Sequence, residues 1–260
     1  GRPLIVECGV YAYDTSKWLR YALSTRGHNT VRVNEQEQNC RSDRAQYRAA
    51  RAETYGFFDS PAFAYARDTH TSGYGNPPDR SVLHRRRVLY VKPDLYLVVD
   101  DLAASDAREH LAEVQFLLNA PGADIVPETL AAVAHRSPAQ PGVGILPLWS
   151  EGIGARIAQG EVEPEVRGFV PKGFEKLEPT PAVLYTRTFT GSATLAWLLV
   201  PYREDALPVQ HLGARRDGDA MVADLRLASG QAARVRVGPA VLTWQEESKA
   251  FAKDEPLLGQ

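Results

Sequence analysis

The sequence is poor in sulfur. Its 260 residues include two cysteines, Cys8 and Cys40, and one methionine, Met221. Two cysteines are too few for a disulfide scaffold, and their separation fits no zinc-finger spacing. A single disulfide and two free thiols are both compatible with the pair. An excess of charge of one sign is also lacking, because 30 Lys and Arg face 32 Asp and Glu for a formal net charge of −2. Bulk charge attraction is thereby excluded as a basis for nucleic-acid or membrane binding, and any anionic ligand must be held by a local basic patch. No apolar run reaches the roughly 18–20 residues of a membrane-spanning helix. No signal-peptide pattern, phosphate loop, GxSxG elbow or dinucleotide glycine pattern is present. There is no initiator Met either. The chain opens on Gly1-Arg2-Pro3 and passes directly into the apolar Leu4-Ile5-Val6. It therefore reads as a C-terminal piece of a longer protein, whose remainder would carry the leader and part of any active site.

What is present is an ordinary globular composition, 44% hydrophobic and 24% charged. The 20 glycines and 18 prolines favour many short strands joined by turns. Residues 41–53 are the best helical candidate, with good helix formers but a poor apolar face. Arg87–Val91, a Lys92-Pro93-Asp94 turn and Leu95–Asp100 form the clearest hairpin. Residues 110–118 alternate as a half-buried strand. Residues 120–180 read as loops and short edge strands, Val143–Leu146 among them. Strands are predicted at Ala182–Thr188, Ala193–Val200, Met221–Leu227, Gln231–Val237 and Ala240–Trp244. This spacing predicts an all-β, antiparallel sandwich over residues 1–248, followed by a polar, frayed tail over 249–260.

The residues with chemical potential crowd into the first 90. Three of the six histidines lie there, His28, His70 and His84. Acids (Glu35, Glu37, Asp43, Glu53, Asp59, Asp68), tyrosines (Tyr55, Tyr65, Tyr74) and several arginines surround them. A lone histidine is most often a hydrogen-bonded structural residue. His28, however, sits where a Gly-containing loop enters the strand-like Val31-Arg32-Val33, a usual place for displayed side chains. His84 opens the strongest hairpin. Strand alternation places His84 and Arg86 on one face and Arg85 and Arg87 on the other, so one face offers an imidazole beside a guanidinium. The competing reading is a solvated basic edge that discourages strand pairing. Trp149, Trp197 and Trp244 read as core, whereas Trp18 lies in a loop-like region before Arg20. His110, His135 and His211 receive no role.

Taken in order, several segments resemble one family. They are Val10-Tyr11-Ala12-Tyr13, Trp18-Leu19-Arg20-Tyr21, and Ser24-Thr25-Arg26-Gly27-His28-Asn29-Thr30-Val31. Next come the Asn34–Gln38 turn, His70-Thr71-Ser72-Gly73-Tyr74, His84-Arg85-Arg86 and Val98-Val99-Asp100. Together they resemble the C-terminal β domain of the heparinase II/III-like polysaccharide lyases, over residues 4–102 in detail and beyond them only as a β-rich tail.

The resemblance implies a supersandwich-like β domain packed against an N-terminal (α/α) toroid that this chain does not contain. It implies cleavage of uronate-containing acidic polysaccharide, heparin-like or alginate-like, by β-elimination, in the periplasm or secreted from a bacterium. In that chemistry the uronate carboxylate is neutralised, a base takes the C5 proton and an acid protonates the leaving oxygen. The catalytic positions implied here are His28, Tyr74 and His70. Arg26, Arg86 and Trp18 are implied as substrate contacts, and Arg85 is a further guanidinium able to pair with carboxylate or sulfate. The family also implies a structural zinc, for which His28, His84 and Glu35 are the matching ligands. Its acidic ligand is replaced here by Asn34, so Glu35, Asp43 or Asp59 substitutes or the metal is lost. The fragment alone is expected to be nearly inactive. The rival reading is a non-catalytic carbohydrate-binding or structural module that kept the fold. A zinc hydrolase would need an open metal position and an activated water, and no dedicated general base for it is apparent.

Overall fold

A computed structural model describes residues 2–38, 55–203 and 207–255. The chain is almost entirely antiparallel β. A short helix, α1 (Lys17–Ala22), is capped by Ser16, whose hydroxyl accepts from the Leu19 amide at 3.2 Å. Strand β1 (Val31–Val33) follows, then the meander β2 (Gly56–Asp59), β3 (Phe63–His70), β4 (Val82–Val91) and β5 (Leu95–Ala104). Next come β6 (His110–Leu117), β7 (Ala123–Val126), β8 (Ala131–Ala134), β9 (Gly142–Pro147) and β10 (Gly154–Ala158). A small hairpin, β11 (Phe169–Gly173) and β12 (Lys176–Pro179), leads to β13 (Ala182–Phe189) and β14 (Ser192–Tyr202). The chain ends in a second meander, β15 (Val209–Asp217), β16 (Ala220–Leu227), β17 (Ala232–Gly238), β18 (Val241–Glu246) and β19 (Ala250–Asp254).

These strands stack as three layers. The middle layer is an eight-stranded sheet in the order β2-β3-β4-β5-β14-β9-β8-β7. On one face lies the four-stranded sheet β1-β6-β13-β10, and on the other the five-stranded meander β15 to β19. A middle sheet must bury both faces, which explains its continuous apolar runs. In Leu195–Val200, Leu195, Trp197 and Leu199 pack toward the four-stranded sheet with Phe116 and Tyr185. Ala196, Leu198 and Val200 pack toward the meander with Leu225, Val235 and Trp244. A third cluster covers the outer face of the four-stranded sheet, where Cys8, Tyr11, Tyr21 and Phe169 meet Leu117, Ala182 and Leu184.

The structure departs from the sequence reading in several places. Gly142–Pro147 is no edge strand; it pairs with both β8 and β14 inside the middle sheet and is buried throughout. Strands β13 and β14 belong to different sheets, so the Gly191 turn carries the chain from one layer to the next. The predicted frayed tail begins as β19, because Phe251 fills the core against Phe63 and Tyr65. Just beyond it, buried Glu255 takes the Tyr65 hydroxyl and an ion pair from Arg67. The helical candidate at 41–53 lies outside the described residues, as does Cys40. Cys8 is buried and its thiol donates to the Phe169 carbonyl at 3.2 Å, with burial pushing it up to about 12.

Candidate functional site

Strand alternation sorts the basic run of β4 and the acidic pair of β5 into two back-to-back clusters. Arg86 stands opposite Asp100 and Arg85 opposite Asp101 in the ladder. On the meander side, Asp101 takes Arg85 and Arg87, and both guanidiniums continue to backbone carbonyls at Gly238, Pro239 and Val241. That cluster ties two layers together. On the other side, Asp100 is fully buried and accepts His84 Nε2 at 2.6 Å. It also accepts Arg86 in a bidentate pair at 2.7 and 2.9 Å. Burial alone would raise the Asp100 carboxyl, but the Arg86 charge and the His84 bond overcome it and hold it down at about 2.

His84 and Arg86 open onto a hollow of about 370 Å³ lined also by Thr30, Gln38, Asp68, Thr69, His70 and Ser72. His70 and His84 are direct cross-strand partners. His70 Nε2 lies 3.0 Å from the Gly73 carbonyl, which makes Nε2 the donor and leaves Nδ1 as an acceptor. Burial lowers the pKa of His70 against that bond, with the His84 charge adding to the fall, so this ring is neutral at pH 7. Among the described residues, three N–H groups of Arg86 are used, two on Asp100 and one on the Asn29 carbonyl, which leaves two for a ligand.

The contact with Asn29 extends the cluster outward. The Asn29 side chain donates to Glu7 at 2.6 Å and accepts from the Leu117 amide, fixing the loop before β1. Glu7 in turn holds His28 Nδ1 at 2.7 Å. This pair is open to solvent, with side chains 41% and 50% exposed. The Glu7 bond raises the His28 pKa more than burial lowers it. Burial works to raise Glu7, but the bonds from His28 and Asn29 bring it below its ordinary value. A buried carboxylate is thus linked through Arg86, Asn29 and Glu7 to an exposed imidazole.

The other expected residues fall elsewhere. Tyr74 is buried in the core cluster that also holds Val31 and Val82 and does not line the hollow; its ring meets His70 edge-on at 5.3 Å. Arg26 is held by Glu37 at 2.7 Å, in an ion-pair cluster with Arg32, Arg167, Glu113 and Glu165. Trp18 packs edge-on against Phe169 at 5.2 Å and so serves the third cluster rather than an open sugar face. Arg85 is buried on Asp101.

A zinc site needs three or four converging donors. His28, His84 and Glu35 do not supply them. The Nε2 of His84 is committed to Asp100, and His28 faces Glu7. Glu35 is exposed on a tight turn with Asn34, both at positive φ, and Asn34 is bound to His110 and the Leu111 amide. Asp59 pairs with Lys92, and Asp43 lies outside the described residues. Among the described residues no group of three or more His, Cys, Asp or Glu is placed to hold a metal.

Two residues of the site were not picked out in the sequence. Glu7 ends the apolar run at Leu4-Ile5-Val6, 21 positions before its partner, and only that abrupt carboxylate marked it. Asp100 was noted as a strand end, but not as the acceptor for both His84 and Arg86.

Residues 1–184 match the profile of the heparinase II/III-like C-terminal family. A search of curated proteins by sequence finds no match. Among solved structures, the chain is similar to the heparan sulfate lyase HepC of Pedobacter heparinus, with a TM-score of 0.70 and 15% identity over 92% of this chain and 35% of that one. It is also similar to a Heparinase III gene product (TM-score 0.65, 11% identity, 92% and 35% covered) and to a further Heparinase III structure (0.64, 11%, 92% and 34%). At these identities the likeness concerns the fold, and the chain spans about a third of the length of those proteins.

Proposed function

The chain belongs to the heparinase II/III-like C-terminal family, and from that premise we propose that it is the β domain of a polysaccharide lyase. The substrate would be a uronate-containing acidic polysaccharide, heparan-like or alginate-like, met in the periplasm or outside the cell. An (α/α) toroid would supply the rest of the cleft. The observation that carries this reading is the pair of imidazoles driven in opposite directions, His28 upward by Glu7 and His70 downward by burial. Opposite shifts of this kind suit a neutral base in the same site as a group that favours its charged form.

In β-elimination the C5–H and C4–O bonds break, a C4–C5 double bond forms, and the proton count is kept by a base and an acid. His70 Nδ1 is the acceptor suited to the C5 proton. The two remaining N–H groups of Arg86 suit the uronate carboxylate, whose neutralisation acidifies that proton, and His28, whose charged form Glu7 favours, adds to the positive field beside the hollow. Tyr74 positions the His70 ring from the core. The acid for the leaving oxygen comes from the toroid. For zinc, the donors present do not converge among the described residues. No step here depends on it.

The test is the full-length protein, assayed on acidic polysaccharides by the ultraviolet absorbance of unsaturated uronate ends. His70→Ala should lower kcat by about 10²–10⁴-fold, the usual contribution of a general base. Absence of unsaturated ends, with polysaccharide binding retained, would instead establish the carbohydrate-binding module, a reading favoured by the burial of Tyr74 away from the hollow.

A further inference from the structure

A second hollow lies on the opposite side of the middle sheet, where all three layers meet. It has a volume of about 340 Å³, at the small end of the roughly 300–1,000 Å³ typical of ligand sites. Arg187 comes from β13, Thr194 from β14, Arg216 from β15, and Trp149, Glu151 and Asp219 from connecting turns. Arg187 is half-buried and Arg216 exposed. Neither makes a hydrogen bond or ion pair with the described residues. Most other arginines of the middle and four-stranded sheets are spent on carboxylates, so two unspent guanidiniums in one hollow are unusual for this molecule.

The floor is rigid. The Thr194 hydroxyl donates to Asp101 at 2.9 Å, and the same carboxylate holds Arg85 and Arg87. Arg85 then grips the Pro239 carbonyl at the hollow's rim. The lining combines planar donors for an oxyanion, two carboxylates able to accept from hydroxyls, and an apolar wall from Trp149, Met221 and Val237. A simple anion would leave Glu151 and Asp219 repelling it. A neutral sugar would leave the guanidiniums unpaired. A ring that carries both hydroxyls and an oxyanion uses all three components.

We propose that this hollow binds an acidic sugar residue, one uronate or sulfated unit of a glycan, apart from the His28 and His70 site. The ligand class follows from the lining and does not depend on the lyase reading. The experiment is calorimetric titration of the 260-residue chain with an unsulfated glucuronate-containing disaccharide, its sulfated counterpart and cellobiose. At least one acidic disaccharide should bind, more weakly as salt rises, and the better of the two identifies the oxyanion. In the Arg187→Gln/Arg216→Gln variant its affinity should fall by about tenfold or more, with Tm unchanged, because neither guanidinium is part of the packing. In a His28→Ala/His70→Ala variant, which disables the other site, the binding that depends on Arg187 and Arg216 should persist. Equal affinity of the arginine variant, equal binding of cellobiose, loss of the arginine-dependent binding in the histidine variant, or no binding by the unaltered chain would each overturn the proposal.

Discussion

Removal of the Asp100 carboxylate tests the architecture of the candidate site most directly. Asp100→Ala leaves His84, whose side chain is 4% exposed, and Arg86, at 22%, without their shared acceptor. Breaking a buried pair by deleting one partner costs about 3–5 kcal/mol, because the remaining charge stays buried. For a chain of this size that corresponds to a fall in Tm of about 6–20 °C. The same carboxylate should set the acid limit of this contribution. Its folded pKa, about 2, lies below the ordinary 3.8, so the stabilisation is complete above the ordinary value and is lost as pH falls through about 2. The gap in stability between the unaltered chain and Asp100→Ala should therefore be constant near neutrality and close at strongly acid pH. Denaturant unfolding at several pH values measures this. A second variant, Asp100→Ala/Arg86→Met, removes the stranded guanidinium and should recover part of the loss. A cost under about 1 kcal/mol, or a double variant as unstable as the sum of the singles, would show that the pair is not acting as a buried ion cluster.

Other consequences can be measured separately. Glu7→Gln should bring the His28 pKa down toward its ordinary value in an NMR titration, and the mutual stabilisation of the pair in the unaltered chain should fade as pH rises through the raised His28 pKa. In a Cys40→Ser background, Cys8 should resist thiol reagents until the protein unfolds, since its thiol is buried and pushed up to about 12. Trp197→Ala, at the centre of the middle sheet, should cost about 3–5 kcal/mol by denaturant unfolding.

The sequence displayed the fold class because its signals are local. Short strands separated by Gly and Pro survive any tertiary arrangement, and period-two alternation placed His84 with Arg86 before their partner was known. The errors share one cause, which is burial on two faces. Val143–Leu146 and Leu195–Val200 show no alternation because both sides are core, so the first was read as an edge and the second as a strand whose sheet partners the sequence did not name. Phe251 is the one large apolar residue between Lys249 and Asp254, and only the third layer explains why that tail folds. The site was legible in part for the same reason. His28, His70, His84 and Arg86 stand in a recognisable order along the chain. Glu7, which raises the His28 pKa, and Asp100, which aims His84 and Arg86, act across distances that no spacing rule covers. Tyr74 and Trp18 illustrate the converse, aromatic residues in the right order whose rings the core claimed.

The adjacency of Asp100 and Asp101 follows from the role of the middle sheet as a wall between two layers. Successive residues point to opposite faces, so an Asp-Asp step opposite an Arg-Arg step must produce two charge clusters back to back. They are not equivalent. Both guanidiniums of the Asp101 cluster end on carbonyls of the meander, with Arg87 fully buried, and that cluster is suited to fastening. The Asp100 cluster keeps Arg86 partly exposed with N–H groups to spare, and passes its order through Asn29 to the solvent-facing Glu7 and His28. On the proposed reading, with the remaining groups on another domain, a rigid anchor behind an open imidazole is the part of the site that this chain can preorganise. Exchanging the two clusters' acids should expose the difference. Asp101→Asn should lower stability while sparing the His28 titration. Asp100→Asn should disturb that titration even where the fold survives, because the loop at Asn29 loses the guanidinium that holds it.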